Sequence, residues 1–255
     1  MEDVNDLWPP FSAVAPRRGG APRSPQGQRD AALSRDEIVA AAIALADAEG
    51  AEAISMRRIA KGLSVGTMSL YWHVAGKEQL LDLMLDAVEA EETIAEPSGE
   101  WQDSLAQIAR RERASLLRHR WKLDFMAGRP PGPNGLLHIE RSLASLDGLD
   151  VDMRTALQIL TTVMTYVTGS VFNELREIHA ERQQAGAGHS AGHSEAEIEA
   201  GVRAWRTSLA RSGLFPRLVR VFDEGIDPDG AEMRDERFEF GLGCVLDGIA
   251  ARLRS

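Results

Sequence analysis

The sequence is short of the features that define several classes of protein. It has one cysteine, Cys244, so an internal disulfide is excluded and a reducing compartment is favoured. Because Cys244 lies in an apolar helical stretch, an inert packed thiol is favoured over a redox sensor. No apolar run approaches the roughly 20 residues of a membrane span, and the N-terminus lacks the apolar core of a signal peptide. We therefore expect a cytoplasmic protein that does not enter a membrane.

Strand-like alternation of apolar and polar residues, internal repeats and catalytic motifs are also lacking. The chain has no Gly-x-Ser-x-Gly elbow, no phosphate-binding loop and no His-Glu-x-x-His metal pair. Gly241-x-Gly243 falls inside a helical pattern and is too sparse for a nucleotide-binding fingerprint. These absences argue against an enzyme, and they predict an all-α protein with no catalytic residues and no cofactor.

The net charge of −10 argues against a protein that binds nucleic acid without regard to sequence. Its distribution along the chain is uneven, however. Residues 1–78 contain nine Lys and Arg residues against ten Asp and Glu residues, so most of the excess negative charge lies downstream. The negative net charge of the whole chain therefore still permits a local basic face in its first third.

Pro, Gly, Ala, Ser and Arg dominate residues 1–33, which show neither a helical nor a strand period. We expect a disordered tail. Its arginines can lie in a DNA minor groove, as basic arms do in some DNA-binding proteins. The alternative is a solvated tail that takes no part in binding.

The first firm helix begins after Ser34, which forms an S-x-x-E capping box with Glu37, and it ends at Gly50. Its apolar residues recur at helical spacing, so one face is available for packing. A later helix, the fourth in the chain, runs from near Lys77 to about Glu92 with a similar apolar stripe.

Between these two helices, Ser55–Lys77 predicts two short helices joined by a tight turn. Gly62 and Gly66 bracket the turn, where a positive φ or a close approach of helices favours a residue without Cβ. The second short helix runs from about Thr67 to His73. This arrangement is typical of a helix-turn-helix.

Val65 and Leu70 are expected to point inward from the second short helix, so most other side chains point outward. The outward side chains are Thr67, Met68, Ser69, Tyr71, Trp72 and His73. Met, Tyr and Trp exposed on a short helix require another surface to cover them. Because Arg57, Arg58 and Lys77 lie nearby, together with Lys61, a DNA major groove is the natural cover.

Pro97-Ser98-Gly99 breaks the helical pattern and marks a domain boundary. Further helices follow, including a long one over Asp152–Glu181 whose wide apolar surface predicts burial on several sides. Gln183–His193 is predicted to be mobile, and a last helix covers about Arg234–Leu253. The predicted organisation is a tail (1–33), a three-helix helix-turn-helix DNA-binding head (34–78), a connecting helix (79–96) and a larger helical domain (97–255).

This order of elements resembles the tetracycline-repressor (TetR) family of bacterial transcription regulators. The resemblance is strongest over Ser34–Leu85, where ISMRRIA and LSVGTMSLYWHVAGKEQLL look like the family's operator-reading segment. A weaker resemblance, to the C-terminal domain of the tetracycline-repressor subclass, covers Arg110–Arg120, Gly128-Arg129-Pro130, Thr168-Gly169-Ser170-Val171 and the Phe238–Leu253 helix.

The resemblance implies a homodimer held by a four-helix bundle, built from the 152–181 and 234–253 helices. It also implies a palindromic double-stranded DNA operator and a small-molecule effector. The effector's cavity in each C-terminal domain would change the spacing of the two heads through the fourth helix. Repression rather than activation is likewise an expectation from the family.

Residues of the family's DNA-reading surface can be matched one by one. Arg57 matches an arginine that reads a base edge, and a guanidinium can donate two hydrogen bonds to guanine. Lys77 matches a lysine that contacts phosphate, with simple solvation as the alternative. The positions that meet base edges or face the duplex are Thr67, Met68, Ser69, Tyr71, Trp72 and His73. Core packing is the alternative for Trp72, and to a lesser extent for Tyr71.

The likeness to the founding repressors is weakest at the drug site. They bind a magnesium–tetracycline chelate through a histidine and a glutamate, and the matching positions here are Phe125 and Asn173. Neither suits a hard cation, so we expect no metal and an apolar or aromatic ligand. The candidate cavity residues, for which plain core packing is the alternative, are Trp121, Phe125, Arg129, Met164, Thr168, Phe172, Asn173 and Trp205.

The sequence thus predicts a dimeric, sequence-specific repressor released from its operator by a small apolar or aromatic ligand. The alternative is a DNA-binding regulator without a small-molecule effector, whose C-terminal domain serves dimerisation or binds a protein. An all-α enzyme with a similar-looking head is the third class considered, and the missing motifs argue against it.

Overall fold

A computed structural model describes residues 33–91, 100–190, 195–226, 230–231 and 233–254. Over these ranges the chain is all-α, without strands, which confirms the predicted fold class. The helices are α1 (Arg35–Glu49), α2 (Met56–Leu63), α3 (Thr67–Leu70), α4 (Lys77–Glu91), α5 (Trp101–Arg118), α6 (Lys122–Phe125), α7 (Pro133–Ala144), α8 (Met153–Ser190), α9 (Glu195–Ser212), α10 (Pro216–Asp223) and α11 (Met233–Leu253). The tail predicted over residues 1–33, except for Leu33, and the break at Pro97-Ser98-Gly99 lie outside the described residues.

The chain divides into two compact units, Met1–Thr168 and Gly169–Ser255, and the division falls within α8. The first unit contains α1 to α7 and the first part of α8. The second contains the rest of α8 together with α9, α10 and α11.

The first unit begins with a head in which the caps predicted from the sequence are present. The Ser34 hydroxyl accepts a hydrogen bond from the Glu37 backbone N–H at 3.2 Å, and the Glu37 carboxylate accepts one from the Ser34 N–H at 2.8 Å. Ser55 caps α2 by accepting from the Arg58 N–H. The apolar faces of α1 to α4 meet in one core, whose fully buried members include Ile38, Leu70, Leu80 and Met84.

The turn between α2 and α3 differs from the prediction in one respect. Its left-handed residue is Ser64, with φ of 57°, whereas Gly66 has φ of −72°. The Val65 N–H bonds the Ala60 carbonyl and the Ser64 N–H bonds the Lys61 carbonyl, which is a Schellman ending of α2. The glycines therefore do not supply the positive φ of this turn.

The second short helix is also shorter than predicted. α3 ends at Leu70, and Tyr71, Trp72 and His73 form a hydrogen-bonded turn that follows it. The Val74 N–H still bonds the Leu70 carbonyl at 3.0 Å, so the three residues stay close to the helix. The side chains of Leu70 and Val74 are fully buried and fasten both ends of this turn to the head core.

α4 packs against α7 as well as against the head. The Asp86 carboxylate of α4 accepts hydrogen bonds from the backbone N–H groups of Asn134 and Gly135, at 2.8 and 3.3 Å, and from the Asn134 side chain at 2.9 Å. It therefore caps the N-terminus of α7, a role that is usually taken by a residue next to the helix in sequence. Gly132 approaches Asp86 so closely that a Cβ there would lie 2.2 Å from an Asp86 carboxylate oxygen.

We expect Gly132→Ala to lower the free energy of unfolding by about 1–3 kcal/mol, because Asp86 must leave its capping position to make room. Gly148→Ala is the matched control, since a Cβ at Gly148 meets nothing within 4 Å. Urea denaturation of both variants measures the difference. Equal stabilities would contradict the assigned contact.

In the second unit, an ion-pair cluster joins α8 to α11. The Glu177 carboxylate forms salt bridges with Arg237 at 2.7 Å and with Arg234 at 3.3 Å. All three side chains are partly or largely buried. α9 and α10 meet through Trp205 and Phe222, whose ring centroids lie 5.6 Å apart.

α8 is longer than the predicted 152–181 helix and continues to Ser190 through much of the stretch predicted to be mobile. Adding residues to an existing helix costs far less than starting one, which accounts for the extension through Ala and Gly. His193, at the end of that stretch, lies outside the described residues.

Fewer faces of α8 are buried than the sequence predicts. Val163, Val167 and Val171 are fully buried, but Leu157 and Phe172 on other faces are 46% and 55% exposed. The wide apolar surface is therefore covered along one face only in the single chain. Similarly, Cys244 is exposed rather than packed, because it lies off the buried face of α11.

The prediction that no segment approaches a membrane span is wrong for α8. Met153–Gln183 is long and apolar enough to cross a membrane by length and composition, with a mean hydropathy of 1.2 over a window that is 33% buried. Residues 155–173 contain no charged side chain, although five of them are Thr. The core helix of a protein outside the membrane meets the same criterion.

Candidate nucleic-acid interface and adjoining cavity

The candidate DNA-reading surface consists of α3 and the turn after it. Leu70 is fully buried and anchors this segment, while the neighbouring Met68, Tyr71 and Trp72 are 73%, 42% and 46% exposed. Thr67, Ser69 and His73 are half-buried. The predicted residues thus lie together on one short segment, with the large apolar and aromatic side chains outermost. The exposure of Trp72 favours surface contact over the core-packing alternative.

Cations lie beside this segment. Arg57 and Lys61 are exposed on α2 and Lys77 is exposed at the first position of α4, and none of the three is ion-paired with another described residue. Arg58 differs, because its guanidinium is bound to Glu49 of α1, which raises the pKa of Arg58 and lowers the pKa of Glu49. Arg57 is therefore the arginine of α2 that is available to a ligand such as a base edge.

Two contacts fix the position of the turn relative to the helices around it. The Arg35 guanidinium of α1 donates to the His73 carbonyl at 3.2 Å, and the Ala75 N–H donates to the Gln79 side chain of α4. The reading segment is thus held by α1 and α4 together.

A cavity of about 240 Å³ lies on the other side of α4, still within the first unit. Its apolar wall is formed by Leu85, Met126, Pro130, Pro131, Ile139, Leu160 and Met164. Its polar groups are Asp82, Asp86, Glu89, Glu112, Lys122, Arg129, His138 and Ser142. An apolar pocket with a few polar groups is the usual form of a small-molecule site.

A buried ion-pair cluster forms one side of this cavity. The Lys122 ammonium, which is 1% exposed, lies 2.9 Å from Glu89 and 3.3 Å from Glu112, and it donates to the Ser115 hydroxyl at 3.2 Å. His138 lies 3.1 Å from the other oxygen of Glu89. Burial opposes ionisation of Glu89, but the hydrogen bonds and charges of His138 and Lys122 prevail and lower its pKa to about 2. Glu89 is therefore ionised at neutral pH.

Arg129 belongs to the same cavity and reaches toward the reading head. Its guanidinium is bound to Asp82 at 2.6 Å and to Glu78, both on the N-terminal half of α4. Glu78 adjoins Lys77 in sequence. The loop between α6 and α7 thereby contacts the end of α4 that lies at the candidate DNA surface.

The predicted cavity residues do not all lie at the cavity. Arg129 and Met164 line the cavity. Trp121 is buried in the head core, where its indole N–H donates to Asp47 at 2.8 Å, and Phe125 packs against the same core. Thr168 is half-buried on α8. In the second unit, Phe172 and Asn173 are exposed and Trp205 is 52% exposed against Phe222.

The charged cluster was missed from the sequence, although one signal for it exists. Glu112 interrupts the apolar stripe of α5 that contains Leu105, Ile108, Ala109 and Leu116. A carboxylate at a buried helical position requires a cationic partner. The position of that partner, Lys122, depends on the turn between α5 and α6, which has no recognisable sequence pattern.

Family profiles match most of the chain. The one described as "Bacterial regulatory proteins, tetR family" covers residues 38–84, and the one described as "Tetracyclin repressor-like, C-terminal domain" covers residues 94–253. Residues 38–84 include the candidate reading surface. Residues 94–253 include every cavity-lining residue except those of α4.

Individual relatives agree with the profiles. The HTH-type transcriptional repressor DrrR1 of Streptomyces coeruleorubidus is 33% identical over 85% of this chain and 77% of its own length. The apo structure of ActR from Streptomyces coelicolor superposes with a TM-score of 0.65 at 30% identity, covering 87% of this chain and 96% of ActR. ActR in complex with actinorhodin gives the same TM-score at 31% identity, with 86% and 96% covered.

These matches establish the class of protein as a DNA-binding transcriptional repressor with a helix-turn-helix head. The chain belongs to the TetR family of bacterial regulators. This is a family of ligand-responsive transcription factors, as its solved members with bound ligands illustrate.

Proposed function

We propose that this chain is a cytoplasmic homodimeric repressor, which binds a palindromic operator and releases it when a small apolar or aromatic molecule occupies the cavity. In this proposal Arg57, Thr67, Met68 and Ser69 read base edges. Tyr71, Trp72 and His73 face the duplex, and Lys77 contacts a phosphate, which sets register rather than sequence. The exposure of the large side chains, and of cations that form no ion pair with another described residue, supports these roles.

The observation that carries the regulatory part of the proposal is the double role of α4. Leu80, Leu81, Met84 and Val88 of α4 pack into the head core. Asp82, Leu85, Asp86 and Glu89 on its other face line the cavity. A ligand that changes the cavity therefore acts on the helix that supports the reading turn, and it can bias the position of the head.

Dimerisation through α8 and α11 is supported by the apolar side chains that the single chain leaves uncovered. Met153, Leu157 and Phe172 on α8 are 62%, 46% and 55% exposed, and Phe240 on α11 is 77% exposed. Large apolar side chains left exposed on two helices favour a covering surface. A second copy of the chain provides a symmetric one, and the same burial accounts for the apolar character of α8 without a membrane.

The test begins with selection of preferred sequences from a random duplex library, followed by fluorescence anisotropy with the selected duplex. We expect a palindrome bound by two chains, with competitor DNA roughly 10³-fold weaker and affinity falling steeply with salt. A duplex that carries one half-site should bind far more weakly. Failure to enrich any palindrome, or equal binding to a scrambled duplex, would contradict the proposal.

A further inference from the structure

We infer that Arg129 supports operator binding through its charge, by neutralising two carboxylates at the end of α4 that meets the DNA backbone. The two carboxylates belong to Glu78 and Asp82. This inference rests on the proposed function, since it gives a residue of the cavity a second part in the binding of the operator.

The Arg129 guanidinium is held against the first turns of α4. It is bound to the Glu78 carboxylate, donates to the Glu78 backbone carbonyl at 3.3 Å and lies 2.6 Å from the Asp82 carboxylate. The Arg129 side chain is 20% exposed, so water screens these ion pairs only in part. Because Arg129 and Asp82 also line the cavity, the cavity and this end of α4 share one cluster of charges.

Both carboxylates lie near the candidate DNA surface. Glu78 follows Lys77, which is exposed at the first position of α4 and is proposed to contact a phosphate. The Glu78 side chain is itself 79% exposed. Asp82 comes about 7.5 Å further along the helix than Lys77. Without a cation beside them, both carboxylates would repel the phosphates that Lys77 attracts.

The balance of charge at this end of α4 decides the direction of the effect. Two carboxylates and one guanidinium give a formal charge of −1, and loss of the guanidinium makes it −2. In a dimer the change occurs at both heads, so it acts twice on the free energy of operator binding. Charges act over about 10 Å at 0.1 M salt, a range that covers the first turns of α4 and a phosphate in contact with Lys77.

The test measures binding of the full chain to the selected palindrome by fluorescence anisotropy at two salt concentrations. We expect Arg129→Gln to weaken binding about fivefold or more at about 0.05 M salt, and less than about twofold at about 0.3 M, because salt screens exposed charges. Arg129→Lys keeps the charge, so it should bind within about twofold of wild type at both concentrations.

Restoring the balance of charge separates the charge of Arg129 from its shape. Arg129→Gln/Glu78→Gln and Arg129→Gln/Asp82→Asn each return the formal charge to −1, so both should recover wild-type affinity to within about twofold. Glu78→Gln alone should bind more tightly than wild type. Because Glu78 is mostly exposed, this result does not depend on the folding of Arg129→Gln.

Arg118→Gln is the matched control. The Arg118 guanidinium lies 3.0 Å from Glu91, the last residue of α4, which is about 20 Å along the helix from Glu78. This substitution removes the same charge from the same kind of ion pair, well beyond the screening length. Operator affinity should therefore change by less than about twofold. Circular dichroism and thermal melting show whether each variant is folded.

Four outcomes would overturn the inference. These are full affinity of a folded Arg129→Gln variant, equal losses in Arg129→Lys and Arg129→Gln, double variants that stay as weak as Arg129→Gln, and Glu78→Gln binding no more tightly than wild type. Wild-type binding is measured first, so the two proposals fail in different ways. A wild-type chain that selects no palindrome contradicts the proposed function and this inference with it, whereas any of the four outcomes in a chain that binds its palindrome contradicts this inference alone.

Discussion

Arg57→Ala and Tyr71→Ala should each weaken specific operator binding strongly while leaving the fold and the proposed dimer intact. Both side chains are exposed and lie outside the head core, so their loss creates no cavity. A bidentate contact between arginine and guanine contributes about 1–3 kcal/mol of discrimination, which corresponds to a loss of roughly 5-fold to more than 100-fold in affinity for the selected palindrome. Fluorescence anisotropy measures the loss, and sedimentation checks the dimer.

Arg58→Ala is the matched control for Arg57→Ala. It removes the same charge from the adjacent residue of α2, but the Arg58 guanidinium is already bound to Glu49. We expect only a weak and sequence-independent reduction in affinity. If Arg57→Ala and Tyr71→Ala both bind the palindrome within about twofold of wild type, the assignment of the reading surface is wrong.

Lys122→Met should destabilise the protein by about 3–5 kcal/mol, because it removes a buried cation that lies 2.9 Å from Glu89 and 3.3 Å from Glu112. Methionine has a similar shape, so lost packing contributes little to this effect. The free energy of unfolding is measured by urea denaturation at pH 7. Lys61→Met, at an exposed position of α2, is the control and should change stability by less than about 0.5 kcal/mol.

The double variant Lys122→Met/Glu112→Gln separates charge from packing. Removing one of the two carboxylates should restore part of the lost stability, so the two substitutions are expected to be strongly non-additive. Additive losses would show that Lys122 acts through packing and that the electrostatic description of the cluster is wrong.

The reading head could be predicted in detail because its determinants are local. The capping box at Ser34, the cap at Ser55 and the apolar spacing of α1, α2 and α4 all act within a few residues along the chain. The wrong predictions about the head also concern only a few neighbouring residues. Ser64 rather than a glycine adopts the left-handed conformation, because a Schellman ending can accept a serine when both of its hydrogen bonds form.

The cavity could not be predicted to the same degree. Asp86, Glu89 and His138 look like ordinary polar residues on amphipathic helices, and nothing in their spacing shows that α4 and α7 bring them together. Of the predicted cavity residues, Arg129 and Met164 line it, and Trp121 lies instead in the head core. Contacts between helices distant in sequence depend on how the helices cross, which periodicity does not encode.

By itself the sequence determined the all-α class and the exposure of Met68, Tyr71 and Trp72 on α3 and the turn after it, because both depend on spacing within one or two helices. The family followed from the resemblance of the segment around these residues. Only the tertiary structure decided that one face of α4 packs into the head while the other lines a charged cavity. It also decided that Lys122 is buried between two carboxylates, since the low dielectric that makes this pairing matter exists only once the helices have packed.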